Sequence, residues 1–95
     1  MFFAVNITEA EIRRERSIAR ELRKSQWWKR KLAAGTCYYC NAKVPAKLLT
    51  MDHLVPIVRG GKSVKSNIVT ACKTCNNKKK YLLPIEWEEY LQGLE

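Results

Sequence analysis

The chain carries a single aspartate and a single histidine, and they are neighbours, Asp52-His53. A carboxylate beside an imidazole can hold a hard cation and move a proton, two operations that hydrolysis of a charged ester requires. Two plainer readings compete with that one. A carboxylate among many cations serves as an ion-pair partner, and a lone histidine is more often a satisfied structural residue than a catalyst. The second chemical feature is a pair of cysteine clusters, Cys37-Tyr38-Tyr39-Cys40 and Cys72-Lys73-Thr74-Cys75. A two-residue gap lets both sulfurs of a pair turn inward at tetrahedral angles, so two pairs on two separate turns suit structural Zn²⁺. Disulfides, or buried thiols without a metal, are the alternatives. Met1 to Ile7 is a short apolar stub that runs into a charged segment and does not read as a signal peptide, so a reduced, cytoplasmic chain is expected.

The gap between the cysteine pairs is 31 residues, longer than the roughly 15 to 20 of a simple zinc ribbon. The insert holds Asp52-His53-Leu54-Val55-Pro56, then Gly60-Gly61, then Asn67-Ile68-Val69, and Cys72-Lys73-Thr74-Cys75-Asn76 closes the series. Each motif alone is weak. In this order they resemble the HNH endonuclease family, over residues 36–81, about half the chain and without the N-terminal segment.

That resemblance implies an α+β fold with a small ββα-metal, treble-clef-like zinc core: a hairpin followed by a helix. It makes His53 the general base, Asn67 the central Asn, and Asn76 the third motif residue, a position where His is usual and Asn occurs in a subset. Asp52 corresponds to the acidic residue before the base, which in that subset holds the catalytic metal together with the Asn after the last cysteine. An oxygen pair of this kind favours a hard cation, Mg²⁺ or Mn²⁺. The chemistry fits these roles. Phosphodiester hydrolysis builds negative charge on the phosphate and on the departing 3′ oxygen, which a cation relieves. A neutral imidazole, with an ordinary pKa of about 6.5, takes a proton from water near neutrality. Asn67 is expected to bond backbone groups across the loop and fix the strand that bears His53; a plain turn-closing Asn is the alternative. One difficulty is geometric. Neighbours on a regular strand point to opposite faces, so Asp52 and His53 serve one phosphate only if the strand twists or bulges, or if metal and water lie on different sides of the scissile bond.

The elements that must position these residues are readable in outline. Thr8-Glu9-Ala10-Glu11 fits a capping box and Gly35 a C-terminal stop, so one long helix is expected over residues 8–34. Ile18, Leu22, Trp28 and Leu32 form its apolar stripe, and Trp27 points the other way, which requires either a bend there or an exposed indole. The stripe packs on the chain's own core, forms a homodimer or larger partner contact, or faces DNA as an arm. Strand-like runs cover Leu48 to Val58 and Asn67 to Ala71, joined through Arg59-Gly60-Gly61-Lys62, where both glycines are expected to permit positive φ. A helix is expected from Lys73 to Tyr81. A short C-terminal helix opens at Pro84, with Ile85, Trp87, Tyr90 and Leu91 as its packing face. The resulting division is a basic helical extension at 1–35, the nuclease core at 36–81 and an acidic helix at 82–95.

Charge follows that division. Residues 8–34 hold nine basic and four acidic side chains, residues 36–81 nine basic and one acidic, and residues 82–95 four acidic and none basic. The formal charge is +9, and a zinc tetrathiolate lowers it by only about two. A polyanion is the natural partner, double-stranded DNA in the resemblance, with Arg59, Lys62, Lys65 and Lys78 to Lys80 around the site making sequence-independent phosphate contacts. No apolar run approaches the roughly 20 residues of a membrane span, so no membrane partner is expected. Besides a nuclease, the sequence accommodates a zinc-stabilised nucleic-acid-binding module without catalysis, or an adaptor whose helix recruits a protein.

Overall fold

Thr8 opens the first helix, α1 (Glu9–Arg23), its Oγ1 accepting the N–H of Glu11 at 3.1 Å. Glu9 and Glu11 in the first turn and Arg20 and Arg23 in the last complement the helix dipole. The computed structural model describes residues 7–93, so the apolar stub lies outside the described residues apart from Ile7. The single long helix expected over 8–34 is two helices: α1 stops before Lys24, and α2 runs Gln26–Ala34. Ser25 is the cause. Its hydroxyl donates to the Leu22 carbonyl at 2.6 Å and accepts the Trp28 N–H at 3.2 Å, ending one helix and capping the next. The break also divides the expected stripe. Ile18 is exposed, while Glu15 and Ala19 are the buried positions of α1 and Trp28 that of α2. Trp27 is half-buried, with the ammonium groups of Lys31 and Lys65 at 5.5 and 5.6 Å from its ring centre. Gly35 closes α2 at φ 67°, as a C-terminal glycine should.

The core is an antiparallel pair, β1 (Leu49–His53) and β2 (Ile68–Cys72), with Asp52 opposite Val69 and His53 opposite Ile68. β1 is shorter than the expected Leu48 to Val58 because the chain bends after His53 and meets Pro56, which has no N–H to pair. A turn of 3-10 helix, Ile57–Arg59, follows. The loop glycines differ in their reasons. Gly60 has φ 92°, whereas a Cβ on Gly61 would lie 1.7 Å from the Val55 carbonyl oxygen, so Gly61 is there for close approach and not for positive φ.

The third core element, α3 (Lys73–Lys79), starts at Cys72 and ends two residues before the expected Tyr81, where Lys80 turns to φ 45°. Hairpin then helix is the ββα arrangement, and the fold is α+β. Cys37, Ala71 and Cys75 form its buried centre, with Tyr39 and Cys72 packed against them. α4 (Pro84–Gln92) docks by two contacts. Trp87 buries against Tyr39, ring centres 5.6 Å apart, and Glu86 accepts two hydrogen bonds from Arg59 at 3.0 and 3.2 Å. Of the expected packing face, only Trp87 is buried; Ile85, Tyr90 and Leu91 are exposed. Among the described residues no helix is long and apolar enough to cross a membrane.

Candidate active site and metal centre

The four cysteines converge. Their sulfurs all lie within 4.8 Å of one another, and the Cys40 and Cys72 sulfurs are 4.0 Å apart. Sulfurs on a zinc tetrahedron with Zn–S near 2.3 Å stand about 3.8 Å apart, so the donor set and spacing fit zinc. No disulfide links them. The first pair sits on a knuckle: Asn41 donates to the Cys37 carbonyl at 2.9 Å with φ 61°, and Tyr38 donates to Thr70 at 2.9 Å, fastening the knuckle to β2. The second pair sits where β2 becomes α3, the Cys72 sulfur accepting the Cys75 N–H at 3.5 Å. Burial pushes the Cys37 thiol up, but backbone hydrogen bonds from Cys72, Cys40 and Tyr39 outweigh it and bring the pKa down to about 7. Burial pushes the Cys75 thiol up. Four thiols this close share few protons comfortably, and a divalent metal that replaces the protons resolves the conflict.

A second centre lies beside β1. Met51, Asp52, His53 and Asn76 line one open cleft of about 210 Å³, with Arg16 from α1, Pro56 to Val58, and Lys80-Tyr81 completing its wall. The alternation difficulty is resolved without a bulge, since the register through Asp52 and His53 is regular. Asp52 and His53 nonetheless line the same cleft.

Asp52 is 6 % exposed. Its Oδ2 accepts from the Tyr39 hydroxyl and faces the Lys79 ammonium at 3.4 Å. Burial and this hydrogen bond to the Asp52 carboxylate raise the Tyr39 pKa, so Tyr39 stays a donor. Asn76 donates its amide to Thr50 Oγ1 at 3.0 Å, and Thr50 donates to the Ala71 carbonyl at 3.0 Å, which sets the amide's orientation. Each residue thereby keeps one oxygen free, Asp52 Oδ1 and Asn76 Oδ1. Among the described residues no fully buried side-chain oxygen or nitrogen lacks a partner, so neither free oxygen is sealed from solvent. A carboxylate and an amide on residues that line one open cleft fit a hydrated hard cation.

His53 is half-buried, and its Nε2 lies 2.9 Å from Ser63 Oγ. Nδ1 has no hydrogen-bond partner among the described residues and is not sealed from solvent. Burial, with a contribution from the Arg23 guanidinium, holds the imidazole below its ordinary 6.5 against the opposing pull of Asp52. The ring is therefore neutral at physiological pH. Asn67 ties both ends of the loop between the strands: its Oδ1 accepts from Val55 N at 2.9 Å, and its Nδ2 donates to the Val55 and Lys62 carbonyls at 3.0 and 2.9 Å. It makes no contact with the cleft.

Two of the cations expected on the phosphate path are committed elsewhere. Lys79 is 0 % exposed, donates to the His53 carbonyl at 3.1 Å and lies over the Tyr39 ring. Arg59 is held by Glu86 and by the Tyr81 carbonyl. Lys62, Lys65, Lys78 and Lys80 remain exposed. The sequence reading missed Lys79, Tyr39, Ser63 and Glu15 as supports of the site. One signal was present for Lys79: it stands four residues after Cys75, on the helix face that a zinc ligand turns inward.

Zinc knuckle, hairpin, helix and an edge cleft bearing Asp, His and Asn describe a nuclease-type site in a ββα-metal fold. The HNH endonuclease family profile matches residues 37–88, more than half of the chain, and the chain belongs to that family, whose members act on nucleic acid. The matched segment runs beyond the core into α4. A comparison with curated proteins gives no match.

Proposed function

We propose that the protein is a metal-dependent endonuclease that hydrolyses phosphodiester bonds of double-stranded DNA, with His53 as general base, Asp52 and Asn76 as ligands of Mg²⁺ or Mn²⁺, and Asn67 as support. The observation that carries it is that Asp52, His53 and Asn76 line one open cleft, each with one donor atom, Asp52 Oδ1, His53 Nδ1 and Asn76 Oδ1, left without a protein partner among the described residues. Every other polar contact of these side chains fixes them in place.

In this reading residues 36–81 are the catalytic core, structural Zn²⁺ sits on Cys37, Cys40, Cys72 and Cys75, and residues 1–35 and 82–95 flank the core. His53 Nδ1 takes a proton from a water molecule as its oxygen bonds to phosphorus; the bond from phosphorus to the 3′ oxygen breaks and that oxygen takes a proton from solvent water, leaving a 5′-phosphate and a 3′-hydroxyl. A divalent cation, when bound, stabilises the charge that grows on the phosphate and on the leaving oxygen. Arg16 and Lys80 on the cleft wall, with Lys62, Lys65 and Lys78 exposed nearby, supply phosphate contacts that carry no base preference. A single copy acts on one strand, so a double-strand break needs two copies acting together.

The test is supercoiled plasmid incubated with the zinc-loaded protein and either Mg²⁺ or Mn²⁺. Conversion to nicked circles whose ends carry 5′-phosphate, stopped by a chelator, is expected. Salt-sensitive binding with no turnover in either cation would assign the fold to a binding module instead.

A further inference from the structure

α1 lies outside the segment that defines the family, yet it reaches the imidazole. We propose that Glu15 of α1 is a positioning residue for His53, acting through Ser63, so that the N-terminal helix is a working part of the active site. The proposal rests on the reading of His53 as the base.

Glu15 is the one buried charged residue of α1, 5 % exposed, on a helix whose other charged side chains are exposed. A buried carboxylate is costly unless it is hydrogen-bonded, and the nearest cation, Lys62, is 3.9 Å away and mostly in solvent. The carboxylate instead accepts the backbone N–H of Ser63 at 2.6 Å, a short charge-assisted bond. The Ser63 hydroxyl donates to the main-chain carbonyl of the same Glu15 at 2.7 Å. One residue of α1 thus grips Ser63 at two points, and Ser63 is itself 4 % exposed.

The second bond decides the state of the histidine. A hydroxyl has one proton, and a carbonyl only accepts, so the Ser63 proton is committed to Glu15. The remaining contact of Ser63 Oγ, to His53 Nε2 at 2.9 Å, is therefore made with Nε2–H as donor. That leaves the lone pair of the neutral ring on Nδ1, the nitrogen without a protein partner among the described residues, on a residue that lines the cleft. Glu15 holds Ser63, Ser63 holds Nε2–H, and the ring presents its basic nitrogen in a fixed direction. The arrangement spans 48 residues of sequence separation, which is why no local motif announced it.

His53 is the chain's one histidine, so its ring nitrogens can be observed without ambiguity by ¹⁵N NMR. In the zinc-loaded parent at pH 8, without DNA or other added metal, a single tautomer with an exchange-protected proton on Nε2 is expected. Ser63→Ala and Glu15→Ala should lose that protection and mix the tautomers, and kcat for plasmid nicking should fall by roughly 10- to 100-fold with KM little changed. Glu15→Gln keeps an acceptor for the Ser63 N–H and should recover the ring signal and most of the rate. Ser63→Ala carries the test alone if Glu15→Ala does not fold. A parent ring proton on Nδ1, or a ring signal indifferent to both alanine variants, overturns the proposal. If the parent cleaves with neither cation while the ring signal follows Ser63 and Glu15, the nuclease reading falls and the positioning role stands.

Discussion

In the proposed reaction His53 owes its role as base to its surroundings. Burial, aided by Arg23, holds its pKa below 6.5, so the proton-accepting form is present at neutral pH and is lost as the pH falls through that lowered value. Cleavage should be level through neutrality and decline on the acid side of 6.5, which a pH–rate profile at saturating cation will show. Lys79 matters for a different reason. It is the buried counter-ion of Asp52 and a donor to the His53 carbonyl. Lys79→Met leaves the carboxylate without its cation and should cost about 3–5 kcal/mol in urea unfolding. At this scale the sequence was legible where type and spacing carry meaning: Asp52, His53 and Asn76 come to one cleft and the four cysteines to one cluster. It was not legible for Lys79 or Arg59, because a run of cations reads as solvated until the inward face of α3 and the position of Glu86 are known.

At the level of elements, the loop between β1 and β2 decides whether the site exists. Asn67 pins its two ends, Glu15 pins Ser63, and Gly61 lets the chain pass against Val55 and Pro56. Gly61→Ala places a methyl group into the Val55 carbonyl; a loss on the order of 1–3 kcal/mol is expected by thermal unfolding, with a larger proportional loss of cleavage because Ser63 moves with the loop. The hairpin-then-helix order and both helix caps at Thr8 and Gly35 were readable from local chemistry. The break at Ser25 was not. Its two hydrogen bonds, to Leu22 and Trp28, compete with helix continuation only once tertiary packing has fixed both neighbours, and with the break the expected stripe through Ile18 dissolved. The strand end at His53 was similarly hidden, since Leu54 and Val55 suit a strand and only Pro56 signals the turn.

For the molecule as a whole, the buried centre is small and built around Cys37, Ala71 and Cys75, so a metal held by the four cysteines is expected to supply much of the stability. Chelation under reducing conditions should unfold the core, since structural zinc contributes on the order of 10 kcal/mol in small zinc peptides; circular dichroism against zinc content checks this. The charge of +9 draws the protein to any polyanion, and what distinguishes an enzyme from a basic surface is the fate of one proton at one ring nitrogen. The direct measurement is plasmid cleavage by the parent and by His53→Ala, side by side at equal zinc content with Mn²⁺ present. Cleavage by the parent, and a loss of at least about 100-fold in a variant that binds DNA and folds as before, is the predicted result. A His53→Ala protein that cleaves at the parental rate would contradict it.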